Sequence, residues 1–285
     1  MTELIRERSR FREACHDARA SSKRVGLVPT MGALHAGHLS LIDAAAERAD
    51  CIAVTIFVNP LQFAAGEDLS SYPRTLEADM QACKARGVDF VFAPDPADMY
   101  PNGFQSVVSL SGVTAPLEGQ FRPSHFDGVT TVVTKLFNLT GPCTAVFGRK
   151  DYQQWTVLRT MVRDLDMPIE VVGCPIVREP DGLALSSRNR YLSADDRQRA
   201  LAIVKGLRSA WTAWQAGERN AEALEGLAAD PIKRAFDALD YVSAADPDTL
   251  EPPGDTPARV LIAAAARVGT TRLIDNVVLG EDPCP

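Results

Sequence analysis

Five short apolar runs, at residues 25–28, 51–58, 90–92, 145–147 and 169–172, alternate with segments whose apolar residues recur at helical spacing. Leu39, Ile42, Ala46 and Ala49 form one such segment. Leu76, Met80 and Cys83 form another, and Trp155, Leu158, Val162 and Leu165 a third. Strands that are apolar on both faces must be covered on both. The alternation therefore predicts an α/β chain built on a Rossmann-like, doubly wound parallel sheet. Such sheets bind ligands beyond the carboxyl ends of their strands, so the segments that follow the runs are where chemistry is expected.

The character of the chain changes near Pro175. Ala200, Val204, Leu207, Trp211 and Trp214 mark a long amphipathic helix, and residues 224–239 suggest more helix. Residues 241–245, 259–268 and 271–277 read as strands, the last two joined as a hairpin by Gly269 and Thr270. The expected organisation is a Rossmann-like domain over residues 1–175 and a smaller α+β domain over 176–285. Residues 280–285 read as a frayed tail.

Composition excludes some roles. With 285 residues, 46% hydrophobic and 24% charged, the chain has the make-up of a soluble globular protein. A formal net charge of −7 argues against a general nucleic-acid binder, which needs a basic surface. No apolar stretch approaches a membrane span. Residues 1–14 alternate charges, lack the apolar core of a signal peptide and read as an exposed helix. The six cysteines are scattered without a CxxC pair, the pattern of reduced thiols in a cytoplasmic protein.

Five segments carry candidate chemistry. PTMGALHAGH (residues 29–38) follows the first run and opens the helix expected near Leu39. A helix N-terminus offers free N–H groups to phosphate, and His35 and His38, three apart, can lie on one side of it. They could donate hydrogen bonds to a triphosphate, or bind a metal, although no third ligand is spaced nearby. NPLQF (59–63) ends the second run, where the Asn59 and Gln62 amides can bond hydroxyls or a carboxylate. FRPSHFDG (121–128) offers Arg122 and His125 to anionic groups and leaves room at Gly128. GRKDYQQ (148–154) places Lys150 to reach phosphates, with Asp151 as a helix cap and Gln154 one turn on. DGLALSSRN (181–189) supplies hydroxyls, amides and Arg188 in a loop able to close. There is neither a Walker-type GxxxxGK[ST] nor a GxGxxG motif, so any phosphate chemistry runs through these elements.

Taken together and in this order, the five segments resemble the pantothenate synthetase family, and TRLIDN (271–276) is similar to that family's C-terminal signature. The likeness runs over nearly the whole chain. HxGH alone is shared with many nucleotidyltransferases and class I aminoacyl-tRNA synthetases; the combination with NPLQF and KDYQQ is far more specific. The resemblance implies a ligase that joins (R)-pantoate to β-alanine through a pantoyl adenylate, with ATP converted to AMP and pyrophosphate. It implies an ATP site lined by Met31, Gly32, Ala33, Leu34, His35, Ala36, Gly37 and His38, with His38 as proton donor and His35 beside it. Gly148, Arg149, Lys150 and Asp151 would contact the nucleotide, with Lys150 on the phosphates. Val177, Leu185, Ser186, Ser187 and Arg188 would complete the site from the second domain. Gln62 and Gln154 would hold pantoate, with Gln62 also serving the β-alanine site. The resemblance further implies Mg²⁺ with ATP, for which Asp79 is the candidate contact, and a homodimer. One departure is visible: the family commonly has an acidic residue where this chain has Arg149, whose side chain is expected to face solvent or to add positive charge near the triphosphate.

Two other readings compete. A nucleotidyltransferase acting on a phosphorylated substrate would want more cations than Gln62 and Gln154 supply. A catalytically silent nucleotide-binding protein would not need His35, His38, Lys150 and Arg188 all intact.

Overall fold

The computed structural model describes residues 2–64, 66–255 and 257–285, which divide into two units. Helices occur in chain order as α1 (Arg8–Ala20), α2 (Ala36–Ala46), α3 (Leu76–Ala85), α4 (Pro96–Met99), α5 (Glu118–Phe121), α6 (His125–Thr140), α7 (Tyr152–Asp164), α8 (Ala194–Gln215) and α9 (Ala221–Ala235).

The first unit comprises the described residues up to Ser111 with Arg122–Arg149 and Val157–Pro175. Its six strands are β1 (Glu3–Ile5), β2 (Val25–Thr30), β3 (Cys51–Ile56), β4 (Phe90–Phe92), β5 (Cys143–Gly148) and β6 (Ile169–Cys174). They lie in the order β1-β4-β3-β2-β5-β6, every pairing parallel. Leu41, Ile42 and Ala45 of α2 and Cys83 of α3 pack with Val28, Val54, Val91 and Val146 on one face. On the other, Ala18 of α1 packs with Val25 and Cys51, and Phe11 stacks on Phe92 with ring centres 4.4 Å apart. Both faces are covered, as the continuous apolar runs require. The five expected strands are present. The sixth, β1, lies where residues 1–14 read as helix: three residues suffice for an edge strand on β4, and their charged neighbours hide it. From β2 the chain extends the sheet to β3 on one side and later to β5 on the other. That reversal is the switch point where a parallel sheet opens a crevice, and the histidine-bearing turn leaves from it.

The second unit comprises Gly112–Phe121, Lys150–Thr156 and Ile176–Pro285. Its antiparallel sheet runs β7 (Ala238–Ala245), β8 (Val260–Val268), β9 (Thr271–Leu279), the last two forming the expected hairpin. One face packs on α8 and α9 through Ile203, Leu207, Leu224 and Ile232. These helices cross closely at Gly206, where a Cβ would lie 2.1 Å from the Ala228 carbonyl oxygen. The other face packs on Leu117 and Tyr152. The grouping departs from a single cut at residue 175, and Glu118 gives the reason. Its carboxylate is buried, and its partners are Arg272, through two bonds of 2.8 Å, and the Tyr241 hydroxyl at 2.9 Å. Burial, then the Glu118 charge, pushes the Tyr241 hydroxyl upward and keeps it a donor. The expected fraying of residues 280–285 is also not found. Arg208 donates to the Pro285 carbonyl, Trp211 to the Asp282 carbonyl, and Arg259 pairs with Glu281.

Candidate active site

Within the first unit, the turn after β2 is built for a close approach. Gly32 and Ala33 both adopt the left-handed backbone, with φ of 84° and 51°. At Gly32 a Cβ would meet Ile56 Cγ2 at 3.0 Å and Asp79 Oδ2 at 3.1 Å. Such backbone persists only where its surroundings hold it, and Asp79 of α3 does so. Its carboxylate accepts from Ala33 N at 3.0 Å, Leu34 N at 2.8 Å and Thr75 Oγ1 at 3.2 Å, and the residue is 3% exposed. Asp79, expected as a magnesium contact, is thus engaged with the turn itself.

His35 caps α2, which begins at Ala36 rather than near Leu39. Gly37 N donates to His35 Nδ1 at 3.2 Å, and His35 N donates to His38 Nδ1 at 3.4 Å. The two histidines form a reciprocal cap, their rings 4.0 Å apart and tilted by 31°. An Nδ1 that accepts leaves the proton of a neutral imidazole on Nε2. Both rings are therefore set as Nε2–H donors at a helix N-terminus, the geometry that suits a phosphate.

Gln62 sits in a one-turn 3₁₀ helix, Pro60–Gln62, after β3. Asn59, expected to bind substrate, is instead consumed. Its Nδ2 donates to Gln62 Oε1 and Gly128 O, both at 3.0 Å, and its Oδ1 accepts from Leu61 N and the Tyr100 hydroxyl. Arg122 and His125 likewise serve Gln62, and the anion that Arg122 meets is the protein's own Glu67. Arg122 pairs with Glu67 at 2.7 Å and donates to Gln62 O at 3.2 Å. Arg122 Nη1 lies 3.2 Å from His125 Nε2, and an arginine only donates, so His125 carries its proton on Nδ1 and gives it to Gln62 O at 2.9 Å. Burial raises the Glu67 pKa, but the Arg122 pairing outweighs it and holds the carboxyl below its usual range. The Gln62 amide nitrogen lies 3.3 Å from Met31 Sδ, joining the pantoate candidate to the histidine-bearing turn. Gly148 ends β5 in the same unit, and Arg149 follows it. The Arg149 Nε is buried, while the residue as a whole is half-buried.

The remaining candidates lie in the second unit. Lys150 is largely buried, its Nζ 3.9 Å from Asp151. Next to the half-buried Gln154, Gln153 is a structural staple that the motif did not reveal. It accepts from Glu118 N and donates to Val113 O and Pro116 O. Val177 O accepts from Leu185 N, and Arg178 bridges to Ala184, so residues 177–185 form a small hairpin. Asn189 donates to Glu179 and to Ala184 O, and Arg197 grips Glu179 and Asp181. The base of the loop expected to close is therefore tied down. Ser186 caps the 3₁₀ helix Ser187–Tyr191 by accepting from Arg188 N. Among the described residues, no group of three or more His, Cys, Asp or Glu side chains is arranged to hold a metal ion. Among them too, no helix is long and apolar enough to cross a membrane.

Residues 3–278 match the family described as Pantoate-beta-alanine ligase. The pantothenate synthetase of Geotalea uraniireducens is 52% identical over 280 residues, covering 98% of this chain and 99% of that protein. That of Geobacter sulfurreducens is 51% identical, covering 93% and 94%. The crystal structure of the Thermus thermophilus pantothenate synthetase superposes with a TM-score of 0.92 at 43% identity, covering 97% of this chain and 99% of that one. The Francisella tularensis pantoate-beta-alanine ligase, crystallised with beta-gamma ATP and beta-alanine, gives 0.80 at 32% with full coverage of both chains. The chain belongs to the pantoate-beta-alanine ligase family.

Proposed function

We propose that this chain catalyses ATP-dependent joining of (R)-pantoate and β-alanine. In the first step a pantoate carboxylate oxygen forms a bond to the α-phosphorus of ATP, and the bond to the bridging oxygen breaks to release pyrophosphate. In the second the β-alanine nitrogen bonds the acyl carbon, loses a proton, and the C–O bond to AMP breaks. No covalent enzyme intermediate is involved, so positioning and electrostatics carry the catalysis. The observation that carries the reading is the histidine pair, two imidazoles set as Nε2–H donors on the turn that Gln62 meets at Met31.

In this reading Met31–His38, Gly148 and Arg149 of the first unit bind ATP, His38 donating to the phosphate charge with His35 beside it. Lys150, Asp151, Val177 and Leu185–Arg188 of the second unit also bind ATP, with Lys150 and Arg188 on the phosphates. Gln62 and Gln154 hold pantoate by hydrogen bonds suited to a hydroxy acid. Mg²⁺ enters with ATP, where it would neutralise phosphate charge. The phosphates and water are its natural ligands here, because Mg²⁺ keeps much of its hydration and Asp79 is already engaged by three donors. The active form is a cytoplasmic homodimer, which sedimentation would test.

The deciding assay follows AMP and pyrophosphate release from ATP with pantoate, with and without β-alanine. Pantoate-dependent pyrophosphate release, followed by β-alanine-dependent AMP release, is expected. Nucleotide hydrolysis that needs neither substrate would sink the proposal, and adenylylation of a phosphorylated acceptor would favour a nucleotidyltransferase.

A further inference from the structure

The TRLIDN segment has no role in the chemistry above, yet its last two residues meet two of the segments assigned to ATP. Asn276 of β9 is 3% exposed, and its Nδ2 donates to the Lys150 carbonyl oxygen at 2.8 Å. Asp275, the residue before it, is 2% exposed and pairs with Arg178 through contacts of 2.6 and 3.0 Å. Arg178 in turn donates to Gly182 O at 3.1 Å and to Asn276 O at 3.4 Å. Asp275 Oδ1 also accepts from Asn276 N at 2.8 Å, which fixes the step between the two residues.

Successive residues of a strand point to opposite faces of its sheet. Asp275 is opposite Ala264, which packs in the core with α8 and α9. Asn276 is opposite Ala263, which packs with Leu117 and Tyr152. One dipeptide therefore grips the Lys150 turn on one face and the 177–185 hairpin on the other. The grips are directional and buried, and side chains held by such a supporting layer keep their geometry to a fraction of an ångström.

We propose that Asn276, seated by Asp275, is a positioning residue for Lys150, and that the Asp275–Asn276 step sets the spacing between Lys150 and the loop bearing Ser186–Arg188. The proposal rests on the assignment of those residues to ATP. Asn276 touches no substrate. It sets the path of the backbone from which the Lys150 side chain departs, and a displacement of about 1 Å at a reacting group costs up to about 10²-fold in rate.

The test is a double-mutant cycle read on pantoate-dependent pyrophosphate release, with β-alanine omitted. Asn276→Ala is expected to lower kcat by about 10- to 10²-fold in the parent, but less than about twofold where Lys150 is already Ala, because coupled residues are not additive. Asp275→Asn is expected to couple in the same way to Arg188→Ala. Thermal melts of each variant establish that the assayed protein is folded. Should Asn276→Ala not fold, the near-isosteric Asn276→Asp fills the same space without the donor and is expected to show the same coupling. Equal losses in the parent and Lys150→Ala backgrounds, or no loss at all, would overturn the proposal, since a purely structural role predicts additivity. A parent that releases no pyrophosphate with pantoate would instead overturn the functional reading beneath it.

Discussion

Gly128 offers a sharp test of how Gln62 is held. It lies in the first turn of α6, where a Cβ would stand 2.3 Å from Leu61 O, 2.4 Å from Leu61 C and 2.6 Å from Gln62 N. These are backbone atoms and cannot rotate aside. Ordinary contact begins at 3.4 Å, so Gly128→Ala forces the 3₁₀ turn back by about 1 Å, with Gln62 riding on it. Helix propensity favours alanine by about 1 kcal/mol, while overpacking costs about 1–3 kcal/mol. The net expectation is a loss of up to about 2 kcal/mol, a few degrees in Tm for a chain of this size. The kinetic effect is larger, because a displacement of about 1 Å at a substrate-positioning group costs up to about 10²-fold. The pantoate kcat/KM should fall by that order while the ATP KM moves less than about twofold. Gly226→Ala is the control: the same change in α9, with nothing within 4 Å of the new Cβ, is expected to stabilise by about 1 kcal/mol. An unchanged pantoate kcat/KM in Gly128→Ala would refute the coupling of α6 to Gln62.

Asp79→Asn replaces a carboxylate that accepts from two adjacent amides with a group that can accept only through Oδ1. It should lose about 1–3 kcal/mol of stability and lower kcat, with the Mg²⁺ activation curve unmoved; a shifted curve with an unchanged Tm would make Asp79 a metal contact after all. His38→Asn keeps an acceptor near the Nδ1 position and His38→Gln keeps a donor near Nε2. The glutamine variant is expected to retain more of the adenylation rate, and equal rates would discard the tautomer argument. Glu67 titrates below its ordinary range in the folded state, so its contribution is complete above about pH 4.5 and is lost as pH falls through the lowered value. Glu67→Gln should accordingly flatten the acid limb of a Tm–pH profile, and an unaltered limb would count against the pair with Arg122. Burial pushes Cys15 and Cys143 up to about 12 and Cys51 and Cys83 up to about 11, and raises Cys174. Ellman's reagent should find one fast thiol, the exposed Cys284, in the native protein and six after denaturation; a second fast native thiol would contradict that burial.

The sheet was legible because burial on both faces leaves a continuous apolar run, a signal that needs no knowledge of partners. The HxGH turn was legible because its glycines and histidines sit at a strand end, where a helix N-terminus serves phosphate. Strand β1 escaped because three residues carry no period. Residues 112–121 were grouped with the first domain because nothing local marks Glu118 as the partner of Arg272, 154 positions later. That Asn59, Arg122 and His125 hold neighbouring groups of the protein was not legible for a related reason. An amide, a guanidinium and an imidazole look alike in sequence whether they hold substrate or a neighbouring carbonyl. Gln153 and Gln154 stand side by side as two glutamines, and only the fold separates the staple from the substrate candidate.

A pattern connects these supporting contacts. Asp79 holds the amides of Ala33 and Leu34, His125 and Arg122 hold the Gln62 carbonyl, and Asn276 holds the Lys150 carbonyl. Each grips backbone, and so fixes the path of the chain from which the neighbouring side chains depart. This division of labour suits a reaction without a covalent enzyme intermediate, in which rate depends on where neutral and cationic donors stand when charge builds on phosphorus. It also inverts the usual expectation that tolerance to substitution rises with distance from the reacting atoms. Ala36 lies inside the histidine motif, but its side chain is exposed at the start of α2. A small polar residue there adds nothing to the turn's support and removes nothing from it. Asp79 and Asn276 belong to other elements and meet no substrate in the proposed reaction, yet a change at either releases backbone beside a side chain to which that proposal assigns catalysis.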